Sequence, residues 1–566
     1  MSNLNSLNRF VKNPVNLTMS RSKFRRPFGH KTTFKSGDLV PIFIDEVLPG
    51  DTFKLDLSFV TRMLTPVVPT MDNAFLDVYF FFVPNRICCL HNDDWAKICG
   101  ENTAGYWAPN SESTVANTGN STNIAGIEVN PDSAAAYLGL PIGDFSGSSS
   151  TESAYYQGIR VNVMPFIAYT KIWNEFFRDQ NTQAPVVETS AANYLVRYAA
   201  ADSCLKVNKL HGLYTSVLPA PQKGDSVLLP IAGTAPVITG ATDNAVIGNN
   251  PLRVKGGGLT NQRPVILDNA NPAGNRAEVY YRSNASTVGG STSTALVPSN
   301  LYADLQNATA TSVNELRQAF AIQRMLEKDA RGGTRYREML KAHFGTTVPD
   351  LTVQVPEYLT GKRVPINITQ VLQNSETANT PLGTTGAFSN TSYVGKMFTK
   401  SFSEFGYVIG VACVRNEQSY SQGISKMWSR NRRFDYYYPA FANLGEQPIY
   451  KRELYLPPTG GDFTYPFDSV FGYNEAWAEY RYHPTMITGA LAPNAAVSTF
   501  TPWTYTNNFT AQPVLNSDFM KQPKSQIGDT LVVKNTNEQF IADFYFDLTC
   551  TRVMPLYSIP GLIDHH

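Results

Sequence analysis

Phe53-Lys54-Leu55-Asp56-Leu57-Ser58-Phe59 decides the fold class. Four apolar side chains alternate with three polar ones, the two-residue period of a strand with one covered face. A second stretch, Asn73 to Val83 (NAFLDVYFFFV), is continuously apolar, as a strand covered on both faces would be. Pro84 ends it, because proline has no N–H to give a ladder. Phe405 to Val414 (FGYVIGVACV) and Phe540 to Thr549 (FIADFYFDLT) read the same way. These strands lie far apart in the chain. Long excursions between paired strands suit a jelly roll, whereas a meander would space its strands evenly.

Two helices interrupt the β pattern. Pro165 to Arg178 places Tyr169, Ile172, Trp173, Phe176 and Phe177 at helical spacing, with proline suited to the first turn. Another begins at Ser312, with Glu315 three residues on as a capping box. Its stripe runs Leu316, Ala319, Phe320, Gln323 and Leu326, and Gly332-Gly333 stops it. A shorter helix follows through Met339 and Leu340 to Phe344. Asn102 to Ser153 reads as an ordinary long loop. Residues 225–310 contain no Phe, Trp, Met, His or Cys, and three of the chain's 67 aromatics (Tyr280, Tyr281, Tyr302). Such a segment cannot supply a strong core. It reads as an excursion with some β structure, the alternative being a disordered loop.

Charge is unevenly placed. Arg9, Lys12, Arg21, Lys23, Arg25, Arg26, Lys31 and Lys35 precede the first carboxylate, Asp38. The whole chain is only +1, so the rest carries a net negative balance. A basic excess confined to one end marks a segment for a polyanion, whether nucleic acid, an anionic membrane or an acidic protein. Charged residues make up 16% of the chain and aromatics 12%. A surface poor in charge and rich in Tyr, Asn and Pro suits burial against other subunits, though strands favour aromatics anyway. No apolar run reaches the roughly 18 residues that span a bilayer, and no signal-peptide pattern opens the chain. None of the six cysteines forms a C-x-x-C pair, which reads as reduced thiols in a cytoplasm.

No site for chemistry stands out. The seven histidines offer no H-x-x-x-H spacing, and no nucleophile elbow, P-loop or dinucleotide fingerprint occurs. Asp93-Asp94 reads as a solvated turn. Arg324, Lys328, Arg331, Arg335 and Arg337 are mixed with Glu327, Asp329 and Glu338, which favours structural ion pairs. Arg430, Arg432 and Arg433 with Tyr436, Tyr437 and Tyr438 combine guanidinium groups and rings. That mixture grips single strands, and it is equally common in protein interfaces. An enzyme is not expected, nor any cofactor or metal.

A series of motifs in order resembles the major capsid proteins of the Microviridae, of the gokushovirus type. They include HKTTFKSGDLVPIFIDEVLPGDTF (30–53), MDNAFLDVYFFFVPNR (71–86), IWNEFFRDQN (172–181), LRQAFAIQRMLEKDARGGTRYREML (316–340), MWSRNRRFDYYYPA (427–440) and MPLYSIPGLIDHH (554–566). The resemblance implies a mainly β chain with a single eight-stranded antiparallel jelly roll, long insertions and a few helices. It implies a T=1 icosahedral shell of sixty copies around single-stranded DNA, in a virion assembled in the bacterial cytoplasm. Residues 1–37 become a basic arm on the interior side. Residues 38–224 and 311–566 form the shell, and 225–310 forms a surface protrusion with a role in host attachment. Partners would be other copies, non-specifically bound DNA, a small basic packaging protein and a host receptor. The alternative from composition is a β-sandwich carbohydrate-binding or adhesin protein.

Overall fold

The computed structural model describes residues 20–90, 119–147, 150–225, 313–377, 381–457, 469–493, 498–533 and 538–557, with short segments elsewhere, chiefly strands between 237 and 303. Eight long strands dominate: β1 (Ser22–Phe34), β2 (Val40–Val47), β3 (Thr52–Met63), β4 (Ala74–Pro84), β5 (Glu357–Pro365), β6 (Thr391–Ser401), β7 (Gly406–Asn416) and β8 (Phe540–Arg552). They form two four-stranded antiparallel sheets, ordered β1-β8-β3-β6 and β5-β4-β7-β2. The chain is mainly β, as expected.

One core fills the space between the sheets. From the first sheet come Phe53, Leu55, Leu57, Phe59, Phe544, Phe546 and Leu548. From the second come Phe43, Leu76, Val78, Phe80, Phe82 and Val408. Rings interlock across it: Phe546 lies 5.1 Å from Phe43, and Phe80 lies 5.8 Å from Phe398. Gly410 leaves room for this packing, since a Cβ there would come within 2.6 Å of the Phe80 ring.

The second sheet is covered again on its other face. Phe81, Val83, Ile409, Val411 and Cys413 pack under helix α1 (Met164–Ile172) and helix α2 (Ala191–Ala199). That explains the unbroken apolar runs of β4 and β7. The expectation fails for β8. It alternates, with Ile541, Asp543 and Tyr545 exposed, because among the described residues the first sheet has one bare face.

Helix α1 runs into a π-helical turn, Trp173–Phe177. The extra residue in that turn lets neighbours Phe176 and Phe177 both reach Phe81, at 4.7 and 6.1 Å. The stretch 102–153, expected as a loop, contains regular structure. Within its described part, Ala134–Tyr137 is helical, and Ile124, Val129, Ala134 and Ala135 are buried.

The chain divides into two compact units, Gln222–Lys328 and the remainder. The described part of the smaller unit holds short antiparallel strands, Arg253–Lys255, Arg263–Asp268, Glu278–Tyr281 and Val297–Pro298 in one sheet and Val237–Thr239 with Leu301–Ala303 in another. Most of 225–310 lies outside the described residues. Helix α3 (Val313–Gly332) and helix α4 (Tyr336–Phe344) match the expected positions. Ala319 of the expected stripe is buried, whereas Phe320 is exposed. All six cysteines are free thiols, five of them buried.

Candidate nucleic-acid and subunit interfaces

Four of the eight cations of the basic N-terminal segment lie in a strand. Residues 22–34 form β1, which pairs with β8 over its whole length, Ser22 opposite Arg552 and Phe34 opposite Phe540. Its reading as part of an arm overlooked this strand. Pro27 and Gly29 are tolerated because β1 is an edge strand, and its charges discourage edge-to-edge pairing.

Alternation then sorts the basic residues. Lys23, Arg25 and Lys31 point to the bare face of the first sheet, beside Lys54 and Arg62 of β3 and Lys396 of β6. Asp56, Asp543 and Asp547 share that face, so cations outnumber carboxylates there. Arg25 bonds Asp547 at 2.8 Å, and this hydrogen bond lowers the Asp547 pKa. Lys31 lies 3.4 Å from Asp543. Arg21 and Lys23 are exposed and have no carboxylate partner among the described residues. Arg26 turns to the sheet edge and bonds Asp45 at 2.6 Å. Arg9 and Lys12 lie outside the described residues.

Lys35 behaves differently. It is 2% exposed, and its Nζ lies 2.7 Å from Asp202, 3.6 Å from Asp132 and 3.9 Å from Asp38. Lys206 bonds both Asp38 and Asp202. Burial pushes the Asp38 carboxyl up to about 6 against the pull of both lysines. This cluster ties the β1–β2 turn to distant loops and leaves Lys35 no access to a polyanion.

The arginine–tyrosine segment is also largely self-satisfied. Arg430 bonds Glu479 at 2.8 Å and lies over the Tyr480 ring at 4.4 Å and the Tyr436 ring at 5.7 Å. Arg433 lies over Tyr438 at 5.4 Å. Asp435 accepts from the N–H groups of Asn431 and Arg432, which lowers its pKa. Arg432 and Arg433 are exposed. Around them stand exposed apolar groups, with Trp428 at 73% and Phe434 at 71%.

The cluster near Gly332 does form structural pairs. Arg335 bonds Glu338 at 3.0 Å and lies 3.2 Å from Glu175. Arg337 also lies 3.2 Å from Glu175 and bonds Asp350 at 2.5 Å, and Arg331 pairs with Glu446. Among the described residues no group of His, Cys, Asp and Glu is arranged to hold a metal.

The model of the "Capsid protein (F protein)" family matches residues 15–562, which takes in all eight strands. This chain belongs to that family. Among its relatives are capsid proteins VP1 of Bdellovibrio phage phiMH2K, 36% identical over 96% of this chain and 95% of that protein, and of Chlamydia phage 1, 35% identical over 98% of each. VP1 of Spiroplasma virus 4 is 33% identical, over 96% of this chain and 95% of its own length. The resemblance to Microviridae capsid proteins therefore holds along the chain. The capsid protein has a structural role in the virion. Among the described residues no helix is long and apolar enough to cross a membrane.

Proposed function

We propose that copies of this capsid protein close into a T=1 shell of sixty around single-stranded DNA, each wall being one eight-stranded jelly roll. The strand order carries this reading. Successive strands fall in the first, second, first, second, second, first, second and first sheet, the interleaving that a double Greek key produces. The exposed Trp428, Phe434 and Tyr436 form a seam between copies, because Arg430 beside them is already neutralised by Glu479.

The bare face of the first sheet, together with residues 1–21, faces the cargo. Phosphate contacts there are non-specific. Residues 225–310 protrude outward and meet a host receptor. Eight cations on each of sixty copies give about 480 charges, whereas encoding this chain alone takes roughly 1,700 phosphates. Pairing of Arg25, Arg26, Lys31 and Lys35 lowers the supply further, so a small basic packaging protein accompanies the DNA.

Electron microscopy of the expressed chain should show uniform spheres, with DNA inside protected from nuclease only when a polycation is supplied. Monomers or small oligomers alone would overturn the assembly reading. Deleting 225–310 should preserve particles and impair adsorption, and a deletion variant that cannot fold would make that segment structural.

A further inference from the structure

A small cavity of about 230 Å³ opens where the π-helical turn ends. The basic residues Arg178, Lys209, Arg335 and Arg415 line it, and two carboxylates, Asp179 and Glu338, oppose them.

Two of the cations have no bonded carboxylate among the described residues. Lys209 is 5% exposed, and its Nζ meets the Asn507 amide oxygen at 3.3 Å and the Phe519 ring at 4.4 Å. Arg178 donates to the backbone carbonyls of Gln183 at 2.7 Å and Asn174 at 3.3 Å. A third is under-compensated. Arg415 shares the single buried carboxylate of Asp77 with Arg363. Asp179 is occupied by its own loop, accepting from Thr182. Burial, and then the nearby Arg335, lower the Arg178 pKa against the pull of Glu175 and Asp179.

A buried ammonium with only an amide and a ring for company is costly unless an anion arrives. Guanidinium forks suit an oxyanion with several acceptor oxygens. The volume holds a phosphate group with a few waters, at about 30 Å³ of liquid per water. We propose that this cavity between Arg178, Lys209 and Arg415 is a phosphate site, filled by inorganic phosphate or by one phosphodiester of a nucleic acid. The site does not depend on the jelly-roll or shell reading.

The test uses the full-length chain in chloride buffer at pH 7. Its unfolding temperature is followed as inorganic phosphate is added, with sodium chloride of equal ionic strength as the control. Phosphate should raise the midpoint of the parent chain by several degrees, and chloride should not. Lys209→Met and Arg178→Gln should each lose most of the rise while keeping the native circular dichroism. Two variants on different loops guard against one that fails to fold. The same titration with oligothymidylate lacking terminal phosphates separates the sources. A rise abolished in both variants assigns a DNA phosphodiester, and a variant-sensitive rise with inorganic phosphate alone assigns a free anion. If neither phosphate nor the oligonucleotide produces a rise, or if both variants retain it in full, the proposal is overturned. Failure to assemble particles would leave this result untouched.

Discussion

The two sheets of the wall differ in what covers them. The second sheet, β5-β4-β7-β2, carries the common core on one face and the helical layer on the other. The first, β1-β8-β3-β6, carries core on one face and charge on the other. One carboxylate in each shows the consequence. Asp77 of β4 is 0% exposed between Arg363 and Arg415, whereas Asp547 of β8 meets Arg25 in solvent. Similar pairs are structural in one sheet and adjustable in the other, because water screens only the second.

The sharpest way to break this comparison is at the shared core. Phe80→Ala removes a ring that touches Phe43, Phe398 and Phe546 from both sheets. It should cost the upper part of about 3–5 kcal/mol, read by urea unfolding of unassembled subunits. A loss below about 1 kcal/mol would mean that the sheets do not share a core. Asp77→Ala strands two guanidinium groups and should cost about 3–5 kcal/mol, while Asp547→Ala should leave the unfolding midpoint where it was. Equal effects would erase the distinction between the faces.

Lys209 gives a smaller effect of opposite sign. Burial lowers its pKa to about 8, so between about pH 8 and its unfolded value near 10.4 the unfolded chain holds more proton. Stability from this group therefore rises with pH across that window. In phosphate-free buffer at pH 7, Lys209→Met should stabilise by about 1–3 kcal/mol and flatten the alkaline rise. Destabilisation would show that the ammonium has a partner. The smallest change is expected on the bare face. Replacing both Arg21 and Lys23 by Gln should leave stability alone. It should reduce the salt slope of single-stranded DNA binding by roughly 0.7 for each phosphate these side chains neutralise. An unchanged slope would count against the proposal that this face binds DNA.

Sequence periodicity exposed much of this wall. Phe53 to Phe59 showed a strand with one covered face, and the unbroken runs of β4 and β7 showed burial on both sides. It misled for β8, whose many rings hid the outward Asp543 and Asp547. Strand β1 was obscured for a different reason. Arginines, proline and glycine say "not strand" locally, and the partner that overrides them lies more than 500 residues away. The candidate face was half legible. The run of cations from Arg9 to Lys35 was plain, but strand alternation decides which of them reach solvent. Lys54, Arg62 and Lys396 join them only through strand pairing. Lys35 looked like its neighbours, and only the approach of Asp132 and Asp202 removes it.

The place of β8 sets an order of events during synthesis. It lies between β1 and β3, so the first sheet misses an inner member until residue 552 has left the ribosome. A nascent chain can form the β4–β7 pair early but cannot finish its polar wall. Tiling before translation ends is thereby discouraged, and a truncated product lacks a surface fit to join its siblings.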